Sequence, residues 1–512
     1  TTSVAAAGSS GLAAVTVSGA AIGHVAPDAI GAADPFWNPM LPRPDTAALV
    51  KGAGIRSLDF DAGGSSDLYH FEDGGWLSPD PSGSGPYQSL TPRFSFDQFA
   101  TTARAGGAGI VVHVNYGTGP TDTAADPSTA QQPKPGTPEE AAAWVRYANR
   151  THDYGVRDWV IGEETYLNGW HPMPAGFPLE PDAHTDKSPA AYARNSIAFA
   201  RAMKAVDPGI RVGVELVAYN PADAGQPGID MYGKLWDDAV LATPGLADAV
   251  DFADVHWYPS PALGDSDATI LGSSSAIGPA LDHLRSHLEQ ASSPGHRLAL
   301  VVGETNSAGD SPTQQQVTAV NALYLMDDNL TLLQHGASAV DWWALYSGPN
   351  STSDGGWGDL GLLSSGTCPV DQPGKTGCEP PTGTPFAPYQ TMRLLTTALK
   401  GGGQLLATTT TGGGTGSTDG TGSTSSTDGI GSTGGTLSVH AIRRADGTLA
   451  VVLLNEDPQQ AQTIHLTVPC GYQAVRTLSW QPGDTAVTSH TGPAPTTLAP
   501  YSATVILLRH VG

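Results

Sequence analysis

Short runs rich in valine and isoleucine recur along the first three quarters of the chain. Each is followed by a longer stretch whose apolar positions have helical spacing. The runs are AIGHVA (21–26), IRSLDF (55–60), GIVVHVNYG (109–117), DWVIGEE (158–164), RVGVELVAY (211–219), FADVHWYP (252–259), LALVVGETN (298–306) and AVDWWALY (339–346). Runs apolar on both faces are what a parallel sheet covered by helices requires. Helix starts are marked between them. Thr137 precedes Pro138, with Glu140 placed to close a capping box, and Ser188 precedes Pro189. Eight strand–helix units predict a (β/α)8 TIM barrel, with a doubly wound open sheet as the structural alternative.

The pattern changes after about residue 396. Short strand-like runs at 404–410, 436–444, 449–457, 461–468, 474–480 and 502–510 predict an accessory β-sandwich. A Gly/Ser/Thr-rich stretch near 411–435 cannot bury a core and reads as a flexible hairpin loop inside that domain. The expected division is therefore 1–20 as N-terminal strand sequence joining the sandwich as an edge, 21–395 as the barrel, and 396–512 as the sandwich.

Composition narrows the partners. The 49 acidic residues outnumber the 24 basic ones, giving a net charge of −25. Nucleic acid and anionic membranes need basic patches and are not expected partners. No apolar run is long enough to cross a bilayer. Neutral partners such as carbohydrates remain open. Of three cysteines, Cys368 and Cys378 share a loop-like stretch and are expected to form a disulfide, which suits a secreted, extracellular protein. Cys470 is expected to be a buried thiol. The cysteine spacing does not resemble a zinc site. The start TTSVAAAGSS is compatible with a processed terminus.

In a (β/α)8 barrel the chemistry lies at the C-terminal ends of the strands. Those ends offer Asn115 and Tyr116, then Glu163 and Glu164, then Glu215 and Asn220. His256, Trp257 and Tyr258 follow, then Glu304 and Asn306, then Trp342, Trp343 and Tyr346. Two facing carboxyls suit glycosidic bond cleavage, one protonated for the leaving oxygen and one ionised. Aromatic faces suit sugar rings, and amides suit hydroxyls.

These motifs resemble those of clan A retaining glycoside hydrolases. WVIGEETYLNGW is similar to their W-x-I-G-N-E segment, and LVVGETNS to their nucleophile segment. DFADVHWYP, GGSSDLYHF and DGTLAVVLLNEDP resemble further stretches of these enzymes, most nearly the arabinofuranosidase-like families 39 and 51. The resemblance implies Glu164 as acid/base and Glu304 as nucleophile. It implies Tyr258 as the tyrosine hydrogen-bonded to the nucleophile, and Trp342 or Trp343 as lining of the sugar subsite. Glu163, Asn115, His256 and Glu215 join these as substrate-binding candidates. No cofactor and no metal ion is implied. The expected reaction is retaining hydrolysis of an arabinofuranose-containing oligosaccharide or polysaccharide. The alternatives are a β-xylosidase or galactan-directed enzyme, a carbohydrate-binding protein with an inactive site, and a metal-dependent hydrolase.

Two departures stand out. Glu163 occupies the position where the family has an asparagine that donates to the sugar 2-hydroxyl, and an ionised carboxylate can only accept. Three readings follow: recognition of an unusual substrate, loss of activity with a retained cleft, or Glu163 itself as acid/base. Near the second run the family has an arginine beside the nucleophile. Here Asp59 and Asp61 stand in that region, with His24 and His113 as the candidate replacement cations.

Overall fold

Eight parallel strands close into a barrel, each pairing with the next in sequence and the last with the first. They are β2 (Ile30–Ala33), β3 (Ser57–Phe60), β4 (Gly109–Val114), β5 (Asp158–Ile161), β6 (Arg211–Leu216), β7 (Phe252–Trp257), β8 (Ala299–Thr305) and β9 (Ala339–Trp342). The computed structural model describes residues 12–511 apart from 73, 79–87, 91–92, 120–133, 171–180, 226–227, 260–264, 310–311, 353–355, 370–376 and 413–435.

Helices cover the outside of the barrel. Two of the starts show how the sequence sets them. Thr137 Oγ1 accepts the Glu140 backbone N–H at 3.2 Å, ahead of a helix opening with Pro138. The reciprocal half of that capping box is not made. The Glu140 carboxylate instead pairs with His70 Nδ1 at 2.8 Å, a stronger charge-assisted contact. Ser188 caps the helix Pro189–Val206 by accepting the Ala191 N–H at 3.3 Å.

The barrel strands are not apolar on both faces as the pattern predicts. Their outward residues pack on the helices: the Phe60 ring meets Phe96, Phe99 and Trp144 edge-on at 5.1–5.9 Å. Their inward residues are a small apolar plug of Val160, Phe252 and Val301, and beside it a charged layer. Asp59, His113, Glu215, Asp254 and Asp341 belong to that layer and are all at most 2% exposed. The layer packs because glycines face it. A Cβ on Gly303 would lie 2.6 Å from both Asp254 carboxylate oxygens.

The run at 21–26 is not the first barrel strand. It is the second half of β1 (Leu12–Val25), a 14-residue strand of the accessory sheet. The barrel starts instead at the four-residue segment IGAA, whose small, fully buried residues carry little strand signal. The accessory strands are β10 (Gly403–Thr411), β11 (Leu437–Arg444), β12 (Leu449–Asn455), β13 (Gln462–Thr467), β14 (Tyr472–Trp480), β15 (Thr488–His490), β16 (Thr497–Leu498) and β17 (Ser502–His510). With β1 they form nine strands in the order β15-β14-β17-β12-β11-β10-β1-β13-β16. β1 is therefore internal, not an edge: it runs antiparallel to β10 and parallel to β13. The two strands flanking the Gly/Ser/Thr-rich stretch, β10 and β11, pair antiparallel, while the stretch itself, from 413 to 435, lies outside the described residues.

Alternation along the central strands divides two cores. Leu449, Val451 and Leu453 of β12 face the sandwich interior with Ile464, Ile506 and Leu508. Ala450, Val452 and Leu454 face the barrel helices. Asp327 of the helix Ala319–Gln334 crosses that junction and accepts His440 Nε2–H at 2.8 Å. Cys368 and Cys378 are disulfide-bonded. Cys470 is exposed rather than buried, because it sits in the turn between β13 and β14 with no core beside it.

Candidate active site

Glu163 and Glu164 follow β5, and one backbone feature separates their roles. Glu164 is held at φ 39° and ψ 39°, in the left-handed region. That conformation costs a non-glycine residue about 1–2 kcal/mol. It sends the two neighbouring side chains to different places. Glu163 turns into the barrel and is 1% exposed, while the Glu164 side chain reaches the mouth and is 22% exposed. Asp67, in the GGSSD stretch, braces this turn. Its carboxylate accepts the N–H groups of Tyr116 at 2.6 Å, Gly117 at 2.9 Å and Glu163 at 3.2 Å. Burial pushes the Asp67 carboxyl up to about 7 despite those bonds.

Glu304 ends β8 and pairs in register with His256 of β7. Alternation on β7 turns Asp254 and His256 inward together. Two residues on, the Tyr258 hydroxyl donates to Glu304 Oε2. His256 Nδ1 stands at the centre of the site, 3.1 Å from Glu164 Oε1, 3.6 Å from Glu304 Oε2 and 3.7 Å from Glu163 Oε1. Tyr166 also donates to Glu164 Oε1, at 2.9 Å. One carboxylate oxygen of Glu164, one of Glu304 and a His256 ring nitrogen all lie within 4.8 Å of one another.

Beneath them lies a second group. His113 Nδ1 is 2.8 Å from Glu163 Oε2 and 3.7 Å from Glu215 Oε1, and His113 Nε2 is 3.2 Å from Asp59 Oδ2 and 3.7 Å from Asp254 Oδ2. Among the described residues, the ion pairs of these carboxyls involve His113 and His256 alone. Burial would hold both imidazoles neutral. The surrounding carboxylates outweigh it: Asp59, Asp61 and Glu163 raise His113, and Glu304, Glu164 and Glu215 raise His256. Burial pushes Glu163, Glu215 and Glu304 well above the usual carboxylate range. Asp61 goes the other way. Burial opposes its charge, but His113, Glu304, His256 and Glu163 together hold it low, so Asp61 is the ionised member of its contacts with the two glutamates.

The structure thus brings Glu163, Glu164, Glu215, His256, Tyr258 and Glu304 together. It takes Asn115 elsewhere. The Asn115 amide donates to the Tyr69 carbonyl and to Thr118 Oγ1, both at 3.1 Å, and accepts from Thr118 N–H at 2.8 Å. It clasps the loop after β4 instead of facing the mouth. Trp342 is fully buried against Tyr324, so it lines no subsite. Trp343 packs with Trp37 and Tyr258 and is the tryptophan beside the site. Of the two candidate cations, His24 lies on β1 opposite Gln404 of the accessory sheet, far from the barrel mouth in topology. His113 faces Glu163 and Asp59, and the imidazole next to Glu304 is His256.

Asp254, Tyr166 and Trp37 were not expected at the site, whereas Asp61 was expected in the region of the family arginine. Asp254 could have been found by noticing that several barrel runs carry an acid or a histidine in step with the inward face. Trp37 follows β2, the strand whose small residues concealed it.

No family model matches the chain, and no curated protein matches it in sequence. Solved structures do. An α-L-arabinofuranosidase from Thermotoga maritima in complex with arabinose superimposes with a TM-score of 0.66 at 17% identity, covering 97% of this chain and 99% of that one. The family 51 α-L-arabinofuranosidase AbfB from Bifidobacterium longum gives 0.65 at 15% identity, over 97% and 99%. A family 44 xyloglucanase from Paenibacillus polymyxa gives 0.61 at 13% identity, again over 97% and 99%. This chain has the fold of these enzymes. The likeness spans barrel and sandwich together, nearly end to end. At such identities it carries the architecture and leaves the chemistry to the residues in the mouth.

Proposed function

We propose that the protein is a retaining glycoside hydrolase acting on arabinofuranose-containing oligosaccharides or polysaccharides. The observation that carries this reading is the pair Glu164 and Glu304, from the ends of β5 and β8 of one barrel mouth, with carboxylate oxygens within 4.8 Å. Retaining enzymes hold their carboxyls about 5–5.5 Å apart, whereas inverting ones leave about 6.5–9.5 Å for a water. The arabinofuranosidase likenesses support the sugar class.

In this mechanism Glu304 attacks the anomeric carbon while Glu164 gives its proton to the leaving oxygen. The C–O bond to the leaving group breaks as the Glu304–sugar ester forms. Glu164 then takes a proton from water, which attacks the same carbon and releases Glu304. Tyr258, donating to Glu304 Oε2, orients the nucleophile. His256 offsets the charge of both carboxyls. Trp343 and Trp37 offer an aromatic wall to the sugar. Secretion goes with this reading, supported by the disulfide.

The test is a panel of aryl glycosides, including α-L-arabinofuranoside, β-D-xyloside and β-D-galactoside, with NMR of the first-formed product anomer. Turnover of the arabinofuranoside with retention, falling by about 10³-fold or more in Glu304→Ala, is expected. No difference between wild type and Glu304→Ala across the panel removes the enzyme reading.

A further inference from the structure

The chain is acidic, yet one cavity has only bases among its charged lining residues. This cavity of about 500 Å³ lies where the N-terminal end of the barrel meets the accessory sheet. Ile30 opens β2 and Arg56 precedes β3, so it is at the end of the barrel away from Glu164 and Glu304. Lys51, Arg56, Arg393 and Lys400 line it, and no aspartate or glutamate does. In a sequence with 49 acids and 24 bases, such a lining reverses the average. Among the described residues none of the four bases makes an ion pair. The Arg393 guanidinium donates only to the Gln390 amide oxygen, at 3.2 Å.

Bases near the C-terminal end of a helix commonly offset the negative end of its dipole. Lys51 belongs to the last turn of the helix Thr46–Ala53. Arg393 lies in the last two turns of the helix Ala387–Ala398, and Lys400 follows it. Other groups already serve those ends, however. Thr396 Oγ1 donates to the Ala53 carbonyl at 2.6 Å, and the Gly54 N–H to the Lys51 carbonyl at 3.1 Å. Arg444 donates to the carbonyls of Thr397 and Ala398, and the Gly402 N–H to that of Leu399 at 2.9 Å. The four bases are left without a task in the fold. Close backbone contacts build the walls around them. A Cβ on Gly54 would lie 2.4 Å from Thr396 Oγ1, and one on Gly402 2.6 Å from the Val25 carbonyl oxygen.

We propose that this cavity binds a small organic anion carrying two or more phosphate or carboxylate groups. Four positive charges without protein partners call for several negative charges at once. Arginine forks match the oxygens of either group, and lysines add point charges. The volume falls in the range of small-molecule sites and exceeds what one inorganic ion fills. Ile30, Leu399, Leu478 and Val487 offer an apolar surface to the carbon frame of such a ligand. The site lies outside the hydrolase machinery and does not depend on which sugar is cleaved.

The test is calorimetric titration of the whole protein at about physiological ionic strength. The probes are fructose 1,6-bisphosphate, citrate and, as a neutral control, fructose. The variants are Arg56→Gln, Arg393→Gln and Lys400→Gln, with Arg194→Gln, whose partner is the exposed Asp186, as the remote control. At least one of the two anions is expected to bind at one equivalent, and fructose not at all. The tighter of the two assigns the ligand to phosphates or to carboxylates. Each cavity variant should bind it about 10-fold more weakly or worse, as for a lost hydrogen bond between charged groups. Arg194→Gln should bind it as wild type does. Without ligand, the cavity variants should keep or raise Tm, because removing one of four like charges relieves repulsion. Circular dichroism establishes that each variant folds. The proposal is overturned if wild type binds neither anion, if the cavity variants bind as tightly as wild type, or if Arg194→Gln weakens binding equally. A Tm lowered in every cavity variant of a protein that binds neither anion assigns the bases to the helix ends. Aryl glycoside hydrolysis should be equal in wild type and cavity variants. Its absence refutes the hydrolase reading alone, and absent anion binding refutes this site alone.

Discussion

Replacing His256 with asparagine tests what opposes protonation of the nucleophile. His256 Nδ1 stands 3.6 Å from Glu304 Oε2, and the His256 side chain is 1% exposed. Burial is the main influence raising the Glu304 carboxyl, and His256 is the main one lowering it. Unit charges about 4 Å apart at an effective dielectric near 20 interact by about 4 kcal/mol, equivalent to about three pKa units. The imidazolium also serves Glu164 at 3.1 Å and Glu163 at 3.7 Å. Losing it re-equilibrates the coupled carboxyls of the site, which returns part of the shift. We therefore expect the apparent pKa governed by Glu304 to rise by about one to two units. An attacking carboxylate must be ionised, so the acid limb of kcat/KM should move to higher pH by that amount. The assay is kcat/KM against pH for an activated aryl glycoside, since that ratio reports the free enzyme. A limb that moves by less than about 0.3 unit, or to lower pH, refutes the electrostatic role and leaves His256 a spacer.

Glu164→Ala should slow substrates with poor leaving groups by about 10²–10⁴-fold and spare those with dinitrophenolate far more, as measured by kcat/KM across a leaving-group series. His440→Ala removes the imidazole from buried Asp327, leaving only serine donors. A loss of about 3 kcal/mol is expected in urea unfolding, as for a buried charge stripped of its partner. Asp327 itself is driven up by burial but held low overall by His440, Ser274 and Ser438. Its contribution should be present above the unfolded carboxylate pKa and disappear as pH falls through the lower folded value, so acid should narrow the wild-type advantage over Asp327→Asn. Gly31→Ala would set a Cβ 1.7 Å from Asp341 Oδ1 and 2.0 Å from Ser57 Oγ. Calorimetry should show a destabilisation of about 1–3 kcal/mol or failure to fold, the cost of overpacking against a rigid charged layer.

The barrel was readable because eight strand–helix repeats leave few other closures. Its first strand was not, because Ile30–Ala33 carries two alanines and a glycine while the more strand-like segment before it belongs to β1. Pairing decides such cases, and pairing is not local. The charged layer was hidden by the expectation of apolar parallel strands, though SLDF, GVEL and AVDW each place an acid on the inward face. The acids at 163, 164 and 304 could be placed at the mouth from strand ends alone. That Glu163 turns inward and Glu164 outward depends on one left-handed residue, which no spacing reveals. Nor could spacing choose Trp343 over Trp342, since adjacent strand residues point to opposite faces and a loop follows at once.

The placement of β1 sets a schedule for how the protein is made. This strand leaves the ribosome early, yet its antiparallel partner β10 starts at Gly403 and its parallel partner β13 at Gln462. At about 5–20 residues per second, the interval before β10 emerges is on the order of 20 to 80 s. Late in that time, once β9 has emerged, the barrel can close while Val15 and Val17 stay uncovered. Nascent chains should therefore pass through a state with a finished barrel and an unclaimed apolar ribbon ahead of it, a natural binding site for a holdase chaperone. Fusion partners and tags would act on that waiting strand first.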